Sequence, residues 1–318
     1  MSMPRACAMP VRRRGRLPAR PKFVGPCFGL VAALAGGGYL ALARAGVIGG
    51  IAPADLTLLR FGVAGVLLLP VLFRYGIRDL AGVGWRRGLV LAVLAGPPFA
   101  LLQTGGFVFA PLAHGAIIMP AAVTIIAMLL AIVTLLEHID AAQLAGTGVV
   151  ILGLVLIGAD GLGVRSCEEW VGDLMFVGAG SMLAAYTVLM RRWRLAAAAA
   201  TAAVSLLSLV TFLPVYFFCL GADHISGLPA HGLILQAFGQ GGLAGVVLMM
   251  AYSRAVMLLG ASRAALFPSL VPVLAILIGV PLTGEAPDPL QFAGLALVTA
   301  GLLAAIHVLR RRGPIQVR

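Results

Sequence analysis

The residues of this sequence with the chemistry to act on something are polar groups stranded in long apolar runs. Arg60 stands about seven residues into one such run, roughly 10 Å deep at 1.5 Å per helical residue. A cation there must meet a partner, water or an anionic group, or snorkel outward along its stem. Glu137 and Glu285 close two other runs. Each carboxylate can relay a proton or, as a solvated helix-end residue, hold the turn to the next helix. Tyr39, Gln103, Thr104, His114, Thr124, Tyr186, Tyr252 and Ser253 offer hydroxyl, amide and imidazole groups that suit hydrogen bonding to a small solute, with helix packing as the alternative role of each. Pro120 and Pro268 each remove a backbone hydrogen bond and free a carbonyl, which gives either a static kink or a cavity-lining group.

Nothing in the set points to covalent chemistry. The chain has no G-x-S-x-G, no H-E-x-x-H and no GxxxxGK[ST]. Cys7, Cys27, Cys167 and Cys219 form no CxxC and no Cys/His cluster, so neither a metal site nor a redox pair is expected, and no cofactor is implied. A carrier without an ATP site would be secondary, driven by substrate or ion gradients.

The elements that must position these groups are membrane helices. Of 318 residues 61% are hydrophobic and 11% charged, with a mean hydropathy of +1.06, whereas a soluble domain is about a quarter charged. Ten segments are long enough to cross a bilayer of about 30 Å: 23–43, 53–73, 87–110, 114–136, 141–159, 171–190, 201–221, 232–253, 261–283 and 289–309. Residues 1–22 read as a disordered basic tail, and 310–318 as a second one. Ala41-Leu42-Ala43 resembles a signal-peptidase site, but the apolar run is longer than a signal h-region and has a counterpart in the second half.

That counterpart is general. At an offset of 148, Ala113–Leu154 falls on Ala261–Leu302 without a gap and 14 of 42 positions are identical, among them Pro120/Pro268, Glu137/Glu285, Gly146/Gly294 and Gly153/Gly301. Tyr39 and Arg44 match Tyr186 and Arg191 at 147. The organisation is therefore two repeats of five helices, 23–159 and 170–309.

The net charge of +12 comes from 23 basic residues, 22 of them Arg. They cluster at helix ends and in the N-terminal tail, which argues against nucleic-acid binding. With the N-terminus in the cytosol, 20 of the 23 fall on the cytosolic side, so the positive-inside rule sets both termini there. Five helices is an odd number, so the second repeat enters the membrane from the opposite side. Inverted repeats place a binding site between the halves near the midplane.

Asp140-Ala-Ala-Gln143 and Asp288-Pro-Leu-Gln291 are capping-box variants that open the last helix of each repeat. Arg263-Ala-Ala-Leu-Phe-Pro268-Ser-Leu-Val-Pro272, then Gly284-Glu285 and Gln291-Phe-Ala-Gly294, resembles the EamA repeat of the drug/metabolite transporter superfamily. Arg60-Phe-Gly-Val-Ala64 resembles that family's second helix, and Gly172-Asp-Leu through Tyr186 to Arg191-Arg192 its opening helix. Gly36-Gly37-Gly38 stands where the family carries a Trp-containing segment. The resemblance spans about 23–310 and implies an all-α integral membrane protein with ten helices in two inverted EamA repeats, exporting amino acids, metabolites or drugs.

The expectation is a non-enzymatic transporter in a bacterial inner membrane that exports small metabolites by rocking its repeats about a central cavity. Its partners would be the bilayer, a small-molecule substrate and, in a homodimer, a second copy of itself. Two other readings stay open on the residues alone: a membrane enzyme or lipid-handling protein, and a non-transporting scaffold.

Overall fold

A computed structural model describes residues 23–135, 141–164, 168–220, 225, 229–259, 264 and 267–311. Among these every regular element is helical. The helices are α1 (Val24–Ile48), α2 (Pro53–Tyr75), α3 (Trp85–Ala95), α4 (Pro97–Phe109), α5 (Leu112–Leu135), α6 (Ala141–Val164), α7 (Glu169–Arg192) and α8 (Ala197–Leu220). They continue with α9 (Ala230–Gln236), a π-helical segment Ala237–Val247, α10 (Leu248–Leu259), a 3-10 turn Pro268–Leu270, α11 (Val271–Thr283) and α12 (Pro289–Arg311).

Seven of the stretches are long and apolar enough to cross a membrane, and three shorter apolar ones, Leu144–Leu154, Pro268–Thr283 and Pro289–Gly301, lie at the fifth, ninth and tenth expected positions. The outward faces stay apolar. Phe218 is 92% exposed, Phe23 79% and Val133 76%, a surface that lipid tolerates and water does not. This is an integral, multi-pass membrane protein.

Local chemistry explains the element ends that bear on the site. Pro53 opens α2, where its missing N–H is no loss, and the Asp55 carboxylate reaches back to accept the Ala52 N–H at 3.1 Å. The third expected segment is not one helix. Gly96, at φ −95° and ψ −145°, leaves helical conformation, and Pro97-Pro98 starts α4. Gly284 at φ 73° ends α11 in the left-handed conformation that glycine adopts without a Cβ penalty. Two expected proline kinks part company: Pro120 sits inside α5, whereas Pro268 opens the 3-10 turn ahead of α11 rather than lying six or seven residues into a helix. The last helix, α12, carries on through Arg311, two residues past the expected end at 309.

The repeats pack by swapping equivalent contacts. α6 lies against α12, α5 against α7, α1 against α11 and α2 against α8. A Cβ on Gly153 would stand 2.9 Å from the Gly294 carbonyl oxygen, and one on Gly301 would stand 2.8 Å from the Gly146 carbonyl oxygen. These four glycines are the 148-offset pairs, and each helix meets its counterpart with residue order reversed. The α6–α12 contact is thus antiparallel, with a pseudo-two-fold axis across it. Backbones this close are the means by which membrane helices associate where burial of apolar surface gives no drive. At Gly37 in α1 a Cβ would fall 2.7 Å from the Ala275 nitrogen of α11, so the glycine run of the first helix is the seat of a second repeat-to-repeat contact.

Candidate substrate-binding and gating site

Gln103 is the centre of the first polar cluster. It is 1% exposed on α4, and its two amide atoms are used in opposite directions. Oε1 accepts from Arg60 Nη1 at 3.0 Å, and Nε2 donates to the Tyr39 hydroxyl at 3.0 Å, with Met119 Sδ at 3.4 Å. The Arg60 guanidinium lies 5.4 Å from the Tyr39 ring centroid, 5.5 Å from Phe99 and 5.9 Å from Phe61, within the range of cation–π attraction. Helices α1, α2 and α4 each contribute one hydrogen-bonding member. From the π-helical segment Gln240 donates to the Tyr39 carbonyl at 3.2 Å, and Gln236 of α9 donates to the Leu42 carbonyl at 2.6 Å. Their Oε1 atoms are buried with no hydrogen-bond partner among the described residues. Long π-helical stretches are rare and concentrate at functional sites.

The second cluster joins helix ends. Arg44, near the end of α1, pairs with Glu285, just past α11, with Nε at 3.0 and 3.2 Å from the two carboxylate oxygens and Nη2 completing a forked contact. Arg44 Nη1 also bonds the Phe107 carbonyl near the end of α4. Glu285 Oε2 accepts the Leu112 N–H, the first of α5, at 3.1 Å. One ion pair thereby fastens four elements from both repeats. Beside it His114 of α5 donates from Nδ1 to Asp173 Oδ1 of α7 at 2.7 Å, and Gln291 Nε2 of α12 lies 3.5 Å from His114 Nε2.

A third link ties α2 to α8, where the Tyr216 hydroxyl donates to the fully buried Asp55 carboxylate.

The expected residues therefore divide. Tyr39, Gln103 and Arg60 come together, as do Glu285 and His114. Thr104 turns its hydroxyl back to the Ala100 carbonyl at 2.7 Å, and Thr124 to the Pro120 carbonyl at 2.9 Å, both helix-internal bonds. Tyr186 on α7, and Tyr252 and Ser253 on α10, are half-buried and join neither cluster. Glu137 lies outside the described residues. A groove of about 430 Å³ lies between α11 and α12, lined by Val273, Ile276, Leu277, Phe292 and Leu295, away from the eight expected contact residues. Of those eight, Tyr39, Gln103, Thr104 and His114 are packed into hydrogen-bonded interiors. Among the described residues no group of three His, Cys, Asp or Glu side chains could hold a metal ion.

Sequence reasoning missed Arg44, Asp55, Asp173, Gln236 and Gln240. Only the glutamines left a signal, two amides four residues apart in a glycine-rich apolar run.

Two copies of one helical unit meeting through buried polar side chains describe a polytopic carrier-like bundle. The EamA-like transporter family model matches residues 23–159 and again 170–306, so the chain belongs to that family, part of the drug/metabolite transporter superfamily. A solved structure described only as "Crystal structure of protein" is similar at 21% identity, covering 92% of this chain and 98% of that one with a TM-score of 0.61, a likeness of fold. No match is found among curated proteins.

Proposed function

We propose that this protein is a secondary transporter that exports small metabolites, amino acids or drugs from a bacterial cell across the inner membrane. Its ten helices form two inverted five-helix repeats, with both termini in the cytosol, and transport proceeds by alternating access. The observation that carries the reading is the Arg44–Glu285 pair, which joins repeat one to repeat two at one end of the bundle. The antiparallel swap of Gly146, Gly153, Gly294 and Gly301 supports the inverted arrangement.

In this topology the ion pair and the His114–Asp173 contact lie at the outer face, so the conformation is closed to the outside. Export requires both to open while contacts at the opposite end form. An interface held by a few directional bonds between stiff bodies is suited to such a switch, because it has discrete made and broken states.

The test is counterflow in proteoliposomes. Vesicles holding the purified protein and loaded with a mixture of metabolites should release specific compounds, as read by mass spectrometry. Release indistinguishable from protein-free vesicles across the mixture would overturn the reading.

A further inference from the structure

Resting on the transporter reading, we infer that Arg60 is the anchor for a small organic anion, a carboxylate on an apolar body. Arg60 lies on the inward stripe of α2: its neighbours one turn to either side, Leu56 and Ala64, are 0% and 1% exposed. The groups around it are buried as well, Tyr39 at 7%, Gln103 at 1%, Phe61 at 4% and Phe99 at 3%. Arg60 itself remains half-buried.

The guanidinium has no counter-ion among the described residues. The ion pairs Arg44–Glu285 and His114–Asp173 lie elsewhere, and the Asp55 carboxylate accepts from the Ala52 N–H and from the Tyr216 hydroxyl. Its hydrogen-bond partners are the Gln103 amide oxygen and the Tyr39 hydroxyl, and neither carries a charge to offset the cation. A charge held this deep without a counter-ion is costly, and three aromatic faces recover only part of that cost.

The arrangement has the form of a receptor. Gln103 is fixed between Tyr39 and Arg60, so it sets the plane of the guanidinium and leaves donors of the fork unused. A carboxylate matches that fork with two parallel N–H···O bonds. The Phe61, Phe99 and Tyr39 rings, buried in this conformation, are the apolar groups nearest the guanidinium and would meet the rest of the solute on opening. Sealing the site from water on closure strengthens the charge interaction.

The probe is 4-phenylbutyrate, measured against its neutral amide, with the full-length protein in nanodiscs and binding read by equilibrium dialysis. The wild type should hold the carboxylate at least tenfold more tightly than the amide. Arg60→Gln should abolish that preference, and Arg60→Lys, which keeps the charge but not the fork, should retain part of it. Equal binding of acid and amide, absent binding of the acid, or full preference in Arg60→Gln would each overturn the site. Should Arg60→Gln fail to fold on gel filtration, the wild-type ratio and Arg60→Lys decide. Proteoliposome release separates this inference from its premise. Movement of neutral or cationic compounds alone, unchanged in Arg60→Lys, would leave a transporter and remove the anion site. Selective acid binding with no release of any compound would leave the site and remove the transport reading.

Discussion

Arg44 and Glu285 stand 241 positions apart in the chain and share one forked ion pair, with side chains 15% and 26% exposed. Because the pair also engages the Phe107 carbonyl and the Leu112 N–H, it bolts α1, α4, α5 and the end of α11 together. Its loss should shift the balance between closed and open states more than it harms folding. Arg44→Glu and Glu285→Arg should each reduce transport about tenfold, equivalent to about 1.4 kcal/mol, and the double charge swap should recover most of it. A double-mutant cycle checks this; additive losses without recovery would refute a latch.

The glycines of α6 and α12 make a sharp stability test. Gly153→Val drives a side chain into the Gly294 carbonyl and the Val298 backbone, and overpacking of this kind costs about 1–3 kcal/mol. Gly148→Ala on the same helix meets nothing within 4 Å and should be neutral or stabilising by up to about 1 kcal/mol through helix propensity. Thermal unfolding in detergent compares the two.

Much of this packing was legible in the sequence and some was not. The 148-residue offset pairs Gly146 with Gly294 and Gly153 with Gly301, and in the structure these four meet crosswise, Gly153 against Gly294 and Gly301 against Gly146. Gly96-Pro97-Pro98 carried the signal for a break, yet an uninterrupted apolar run hid that the third segment is two helices. Arg44 falls one residue past the expected end of the first segment, and a partner 241 positions distant leaves no local trace. Gln240 escaped because its π-helical segment does not follow the 3.6-residue phase by which inward faces are read. Pro120 and Pro268 looked equivalent, but one lies within a helix and the other starts a turn, a difference that repeat alignment cannot carry.

Tyr216→Phe removes one donor from the buried Asp55 carboxylate and should cost about 1–3 kcal/mol of stability. Substrate preference should not change, since α8 and the start of α2 lie outside the Arg60 cluster. Altered preference alongside unaltered melting would contradict that assignment.

The orientation predicts that an alkaline-phosphatase fusion after residue 80 is inactive and one after residue 50 is active, because the enzyme folds only on the outer side. The reverse pattern would invert the whole assignment of faces and move the Arg44–Glu285 latch to the cytosolic end.

The most direct test of the central claim is the intracellular level of a wide panel of amino acids, analogues and toxic metabolites in cells that lack or overproduce the protein. The account predicts at least one compound whose level falls only with the intact chain and recovers when Arg44 and Glu285 are both replaced by Ala. Unchanged levels across the panel, with the protein confirmed in the membrane, would contradict it.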